Sequence, residues 1–228
     1  MTVEVLNREL YTLARAGDLL HVAPTTLEWW LEGRVTADHS YAPVLRPQPT
    51  RSKMVTWGEF VEAGYLREYR RTHSVPLSHL RTFIERLRQE TAVPYPLAHY
   101  KPYVGEGRKL VMKLQDEAGL PTEFWMFAPV GGQIMLLPAA ESFLSKVDFS
   151  KDEDQWAERL HPNGKRSPVV FDPEYSYGEP TVQGIRTDVL AELVEAGEAM
   201  EDVAEEYGLK LSVLKAALSY EFSPAVAA

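Results

Sequence analysis

The chain contains no cysteine, which excludes disulfide frameworks, thiolate metal sites and cysteine nucleophiles and is compatible with a reducing compartment. It also lacks long apolar runs. The longest, "FWMFAPV" and "IMLLPAA", fall far short of the roughly 20 residues that span a bilayer. The opening "MTVEVLNREL" places Glu4 and Glu9 where a secretory signal needs a basic region followed by an apolar stretch. A cytoplasmic protein without a membrane partner is predicted. The histidines, 21, 39, 73, 79, 99 and 161, include no pair three or four residues apart, the spacing that puts two ligands on one helical face. Gly105 and Gly107 lack both the third glycine and the basic residue pattern of a phosphate cradle. No metal site, no cofactor and no catalytic residue is therefore predicted.

With 228 residues, 45% of them hydrophobic and 11% aromatic, the chain can bury a proper core and fill one large or two modest domains of roughly 150 residues each. Its net charge of −9 conceals a polarity. Residues 1–113 carry a net +4 and residues 114–228 a net −13, and the positive excess concentrates between Arg46 and Lys113. Such a division points to a polyanion for one half and a basic partner for the other.

In the basic half, Leu13, Ala16, Leu19 and Leu20 make one helical stripe, "HVAP" interrupts it, and Thr25 or Thr26 restarts a helix carrying Leu27, Trp30 and Leu31. This spacing predicts a helix-turn-helix, with Trp30 in the core and Trp29 half-buried or at an interface. The proline- and cation-rich "RVTADHSYAPVLRPQPTRSKM" reads as an extended ribbon or wing. "TWGE" is a capping box in which Thr56 and Glu59 satisfy each other's backbone donors. The following helix brings Arg67, Arg70 and Arg71 to one face. After "HSVP", Leu80, Phe83, Ile84 and Leu87 form an apolar stripe that leaves Arg81, Glu85 and Arg88 to solvent. From Tyr95 to Pro138 short apolar runs, among them "KLVMKL", "EFWMFAPV" and "QIMLLP" with "VGGQ" as a turn, predict a small antiparallel sheet. Residues 145–168 are charged and turn-rich and hold the expected domain boundary.

Near the end, "EDVAEEYGLKLSVLKAAL" predicts a second helix pair. Val203 and Ala204 point inward, Gly208 turns the chain, Leu209 closes the turn, and Ser212 caps a helix bearing Val213, Leu214, Ala217 and Leu218. From Asp188 to Glu221 nine carboxylates face two lysines. Phosphate binding draws its affinity from cations and released counterions, so this surface suits a protein partner and not DNA. In the basic half, by contrast, the second helix offers Thr25 and Thr26 to a DNA groove or backbone. Arg34, Arg46, Arg51 and Lys53 in or beside the wing, and Arg67, Arg70 and Arg71 on the next helix, are candidate phosphate contacts.

Two resemblances rest on these residues. Residues 11–90, through "ARAGDLLHVAPTTLEWW" and the wing after it, resemble the MerR-type winged helix domain; Glu28 stands where that family commonly has an arginine. Residues 168–221 resemble a small antitoxin-type domain whose turn signature appears here in "GEPTVQGIRT" as Gly178, Pro180, Val182, Gly184 and Arg186, with Ile185 in place of the usual threonine. The joint arrangement looks like the VapB-like antitoxins, which pair with a PIN-domain ribonuclease toxin. The resemblance implies an α+β protein: a MerR-like winged helix-turn-helix over 1–92, a small antiparallel sheet region over 93–150 and an antitoxin-type helical domain over 151–228. It implies a homodimer that neutralises the toxin by covering its metal-binding carboxylates and binds operator DNA to regulate its own operon. The alternative is a MerR-like regulator sensing a small ligand among Tyr95, Tyr100, Tyr103, Trp125 and Phe127.

Overall fold

The computed structural model describes residues 2–72, 77–103, 105–120, 122, 125–130, 133–136, 138–153 and 155–223. It is a mixed α+β structure of two compact units. The described residues of 1–144 and 149–157 form the first, those of 145–148 and 158–226 the second. Among the described residues no helix is long and apolar enough to cross a membrane.

The first unit runs α1 (Thr2–Leu6), β1 (Glu9–Thr12), α2 (Leu13–Leu20), α3 (Pro24–Glu32), β2 (Arg34–Val35), β3 (Ser40–Tyr41), β4 (Met54–Thr56), α4 (Trp57–Thr72), α5 (Leu77–Thr91), α6 (Gly105–Glu117), β5 (Phe127–Val130), β6 (Gln133–Leu136) and α7 (Pro138–Leu144). Its core is built round α4. The Thr56 and Glu59 capping box opens that helix, with Thr56 N–H donating to Glu59 Oε2 at 2.9 Å and Glu59 N–H to Thr56 Oγ1 at 3.3 Å. The helix is then buried through Leu66 without interruption, Glu59 and Glu62 included. Tyr11 packs on Phe60 with ring centroids 4.6 Å apart, and Tyr65 meets Phe143 edge-on at 5.2 Å. On α5 the expected stripe Leu80, Phe83, Ile84 and Leu87 is buried. The polar face differs from expectation: Arg81 and Arg88 are half-buried and donate to the backbone carbonyls of Pro43, Leu45 and Pro94.

Between Tyr95 and Pro138 the strands among the described residues are β5 and β6, paired antiparallel from Phe127↔Leu136 to Val130↔Gln133; the expected turn glycines Gly131 and Gly132 lie outside the described residues. "KLVMKL" is not a strand but part of α6. Val111, Leu114 and Gln115 are buried at three- and four-residue spacing. The buried amide of Gln115 explains the misreading: it breaks the apolar pattern, yet it accepts Met126 N–H and donates to Phe127 O, docking the helix on the start of β5.

The second unit is not purely helical. A sheet ordered β11-β10-β9-β8-β7, from β7 (Val147–Phe149), β8 (Ala157–Leu160), β9 (Val170–Phe171), β10 (Pro180–Val182) and β11 (Ile185–Arg186), precedes α8 (Thr187–Glu195), α9 (Met200–Glu206) and α10 (Leu211–Glu221). Val169, Val182, Leu190, Val203, Leu209, Leu214 and Ala217 form its core, as the apolar spacing of the helix pair requires. Gly208 turns at φ 63, and Leu209 N–H closes on Ala204 O at 2.8 Å. The cap is at Lys210, with no side-chain bond, and not at Ser212, which is exposed on the helix.

Candidate functional site

In the first unit the turn between α2 and α3 is set by local chemistry. Thr12 caps α2, its Oγ1 accepting Arg15 N–H at 3.2 Å, and His21 ends it in the left-handed conformation at φ 51. Pro24 then opens α3, so Thr25 and Thr26 stand within its first turn, Thr25 exposed and Thr26 half-buried. Trp30 is buried, while Trp29 is 40% exposed with the Arg34 guanidinium 4.3 Å over its ring. Arg34 begins a short hairpin, paired Arg34↔Tyr41 and Val35↔Ser40. Thr36 closes the hairpin loop, its Oγ1 accepting His39 N–H and donating to His39 O.

The predicted phosphate contacts do not share one environment. Arg34, Arg51, Lys53 and Arg70 are exposed. Lys53 Nζ pairs with Glu28 of α3, and Glu32 accepts the Arg51 backbone N–H at 2.8 Å. Arg46 contradicts the prediction: only 5% exposed, it binds Glu59 at 2.7 Å, Glu32, the Thr50 hydroxyl and the Met54 carbonyl. Burial opposes its charge, but these two carboxylates hold it protonated above the usual guanidinium range. Arg67 is also largely covered and pairs with Glu68 at 3.1 Å, so it does not share an open face with Arg70. The Arg71 side chain lies outside the described residues. The carboxylates of α3 as partners of the wing segment were not foreseen from the sequence. Glu28 and Glu32 each engage part of the basic segment 46–53, and only their spatial proximity reveals it.

The aromatic residues considered for ligand sensing are engaged in packing. Tyr103 and Phe127 are buried, Tyr100 lies 5.0 Å from Phe149, Trp125 Nε1 donates to Leu120 O at 2.7 Å, and Tyr95 donates to Asn7 Oδ1 at 2.9 Å. Among the described residues no group of three or more potential metal ligands exists.

In the second unit the turn motif forms one corner. Gly178 sits at φ 78, Pro180 starts β10, and Val182 is fully buried. Gln183 and Gly184, at φ 52 and 82, make the two-residue turn into β11. Arg186 binds Asp188 in the first turn of α8, Nε to Oδ1 at 3.0 Å. Beyond it Glu198, Glu201, Asp202, Glu205 and Glu206 are all exposed. None of these five enters an ion pair among the described residues. A surface of this kind attracts cationic partners and repels phosphates.

The chain is thus an α+β protein that joins a unit with a helix pair, a short hairpin and the basic segment 46–53 to an acidic sheet-and-helix unit. The model of a family described as a protein of unknown function (DUF433) matches residues 169–220, the core of the acidic unit. The uncharacterized protein Rv2308 of Mycobacterium tuberculosis (strain ATCC 25618 / H37Rv) is 34% identical over 220 residues, covering 95% of this chain and 91% of that protein. The chain belongs to the same family as Rv2308. The X-ray crystal structure of Rv2018 from Mycobacterium tuberculosis is similar with a TM-score of 0.73 at 26% identity, over 93% of this chain and 99% of that one.

Proposed function

We propose that this chain is a VapB-like antitoxin, which binds and neutralises a PIN-domain ribonuclease and represses its own operon through the first unit, acting as a homodimeric MerR-like winged helix-turn-helix. The observation that carries the reading is the acidic face of α9 and its flanks. Its apolar residues are used up in its own core, and its carboxylates remain open to a basic partner. A nuclease that handles RNA keeps basic surroundings at its active site, so the two surfaces attract over long range. The family match over 169–220 covers the turn signature on which the antitoxin resemblance rests. For the operator, Thr25 on the first turn of α3 and the exposed Arg34, Arg51 and Arg70 supply backbone contacts. The packing of Tyr100, Tyr103, Trp125 and Phe127 favours this reading over a regulator that senses a ligand among those rings.

The test is affinity capture of the tagged chain from its native cytoplasm at moderate and high salt, with mass spectrometry of stoichiometric partners and an RNase assay of the complex. A small PIN-type nuclease, silent in the complex and active on release, is expected. Recovery of nucleic acid alone, with no nuclease gene adjoining this one, would overturn the antitoxin reading.

A further inference from the structure

We propose that the first unit carries a binding site for a compact, phosphate-type dianion in the cavity between the segment 42–47 and α5. The cavity holds about 240 Å³, below the roughly 300 Å³ at which pockets for drug-sized molecules begin. Its wall brings together Arg46, Arg81 and Arg88 with Gln89, against the single carboxylate Glu85. Pro43, Val44 and Pro47 complete it with apolar surface.

The three arginines are not equivalent. Arg46 is neutralised by Glu59 and Glu32. Arg88 is held by neutral acceptors, Nε on Pro94 O at 2.9 Å and Nη2 on Leu45 O at 2.7 Å. Its nearest carboxylate oxygen, Glu62 Oε2, lies 4.0 Å away. Burial pushes that carboxyl up to about 8, so near neutrality it offers Arg88 little negative charge. Arg81 donates Nε to Pro43 O at 2.9 Å, and among the described residues no carboxylate comes within ion-pairing distance of it. Burial lowers its guanidinium from the usual range, opposed by the field of Glu85. Two cations thus converge on one cavity, oriented by carbonyl oxygens that fix their direction without cancelling their charge.

Partly desolvated charges are ordinarily paired. A tetrahedral anion supplies the missing counterion, taking paired N–H donors from a guanidinium fork and an amide donor from Gln89. Prolines on both sides of the 43–47 stretch preorganise the wall, and Glu85 penalises larger polyanions. Because the 42–47 segment follows the β2–β3 hairpin directly, an anion in this cavity ties the base of that hairpin to α5. The site is independent of the antitoxin reading and stands or falls separately.

Titration calorimetry of the full chain with inorganic phosphate, against chloride at matched ionic strength, tests it. Saturable binding to wild type is expected, weakened about tenfold or more in Arg81→Ala and unchanged in Arg108→Ala, a control at an exposed arginine of α6 outside the cavity lining. Arg81→Lys, which keeps the charge but loses the fork, covers the case in which the alanine variant does not fold; it is expected to bind more weakly than wild type. Binding no stronger than chloride, or equal binding by wild type and both Arg81 variants, overturns the proposal. So does an Arg81 variant that loses only duplex DNA while wild type ignores free phosphate, since the arginine would then serve the nucleic-acid backbone.

Discussion

Arg46 and Arg51 stand five residues apart in one proline-rich stretch, and they should respond to alanine in opposite ways. Removing Arg46 strands Glu59 and Glu32, so Arg46→Ala is expected to cost on the order of 3–5 kcal/mol in urea unfolding. Arg51 is exposed, so Arg51→Ala should stay within about 0.5 kcal/mol and lower operator affinity instead. Equal stability losses would remove the distinction drawn between a structural and a contact arginine. Glu62 gives a second prediction. Its carboxyl is fully buried, with Oε1 accepting Leu97 N–H at 3.0 Å and Oε2 without a hydrogen-bond partner. Its value, raised from 4.5 to about 8, means the folded state keeps a proton that the unfolded chain releases. The stabilisation is therefore fully present below the unfolded value and is lost as pH rises through the folded one, at up to ~1.4 kcal/mol per pH unit. In Glu62→Gln, denaturation midpoints measured across that window should lose this slope. At this scale the sequence showed the right residue types but not their partners. Glu32 and Glu59 are 14 and 13 positions from Arg46, and only the fold distinguishes it from its exposed neighbours.

Among elements, the hairpin after α3 depends most visibly on one residue. Gly33 has φ +77, and a Cβ there would lie 2.3 Å from Tyr41 O, whereas Gly184 has φ +82 with only the Tyr175 ring at 3.8 Å. Gly184 resists alanine through its positive φ, by about 1–2 kcal/mol, and Gly33 pairs φ 77 with ψ −169, a conformation essentially confined to glycine. Only Gly33→Ala also requires the β3 backbone to move. Thermal denaturation should therefore rank Gly33→Ala as the more damaging change, and a reversed order would contradict the described hairpin geometry. The helices were legible because their signals are local and repeated. Thr56 and Glu59 mark the start of α4, the four apolar positions of α5 recur correctly, and Gly208 marks the turn before α10. The strands β9 to β11 were not legible, since elements of two or three residues are too short to alternate. The Gly-Pro-rich corner pointed to a turn motif there, but nothing in it announces a five-stranded sheet. Likewise Arg81 and Arg88 looked like solvated helix residues because their acceptors are backbone carbonyls, which carry no sequence signature.

For the molecule as a whole, the decisive quantity is the charge polarity, net +4 over residues 1–113 and −13 over 114–228. Burial sharpens it. Arg46 is neutralised and Arg67 largely covered, so the basic half presents fewer cations than its composition implies, while the carboxylates near α9 stay open. Duplex DNA approaching this chain meets a few exposed cations and the field of a large negative charge, which reaches about 30 Å at 0.01 M salt and about 8 Å at 0.15 M. On the proposed antitoxin reading, a basic nuclease bound to the acidic unit would cancel that field. Operator affinity should therefore rise when such a partner binds, most at low salt, and by linkage DNA should tighten the partner equally. Fluorescence anisotropy of labelled operator with the chain alone, with the partner, and with Glu201, Asp202 and Glu205 changed to Gln measures this directly. The Gln variant alone should bind DNA better than wild type at low salt and gain less from the partner. If instead the variant and wild type bind DNA alike at every salt concentration, the acidic unit exerts no electrostatic control over DNA binding, and any coupling between partner and operator must come from a conformational change.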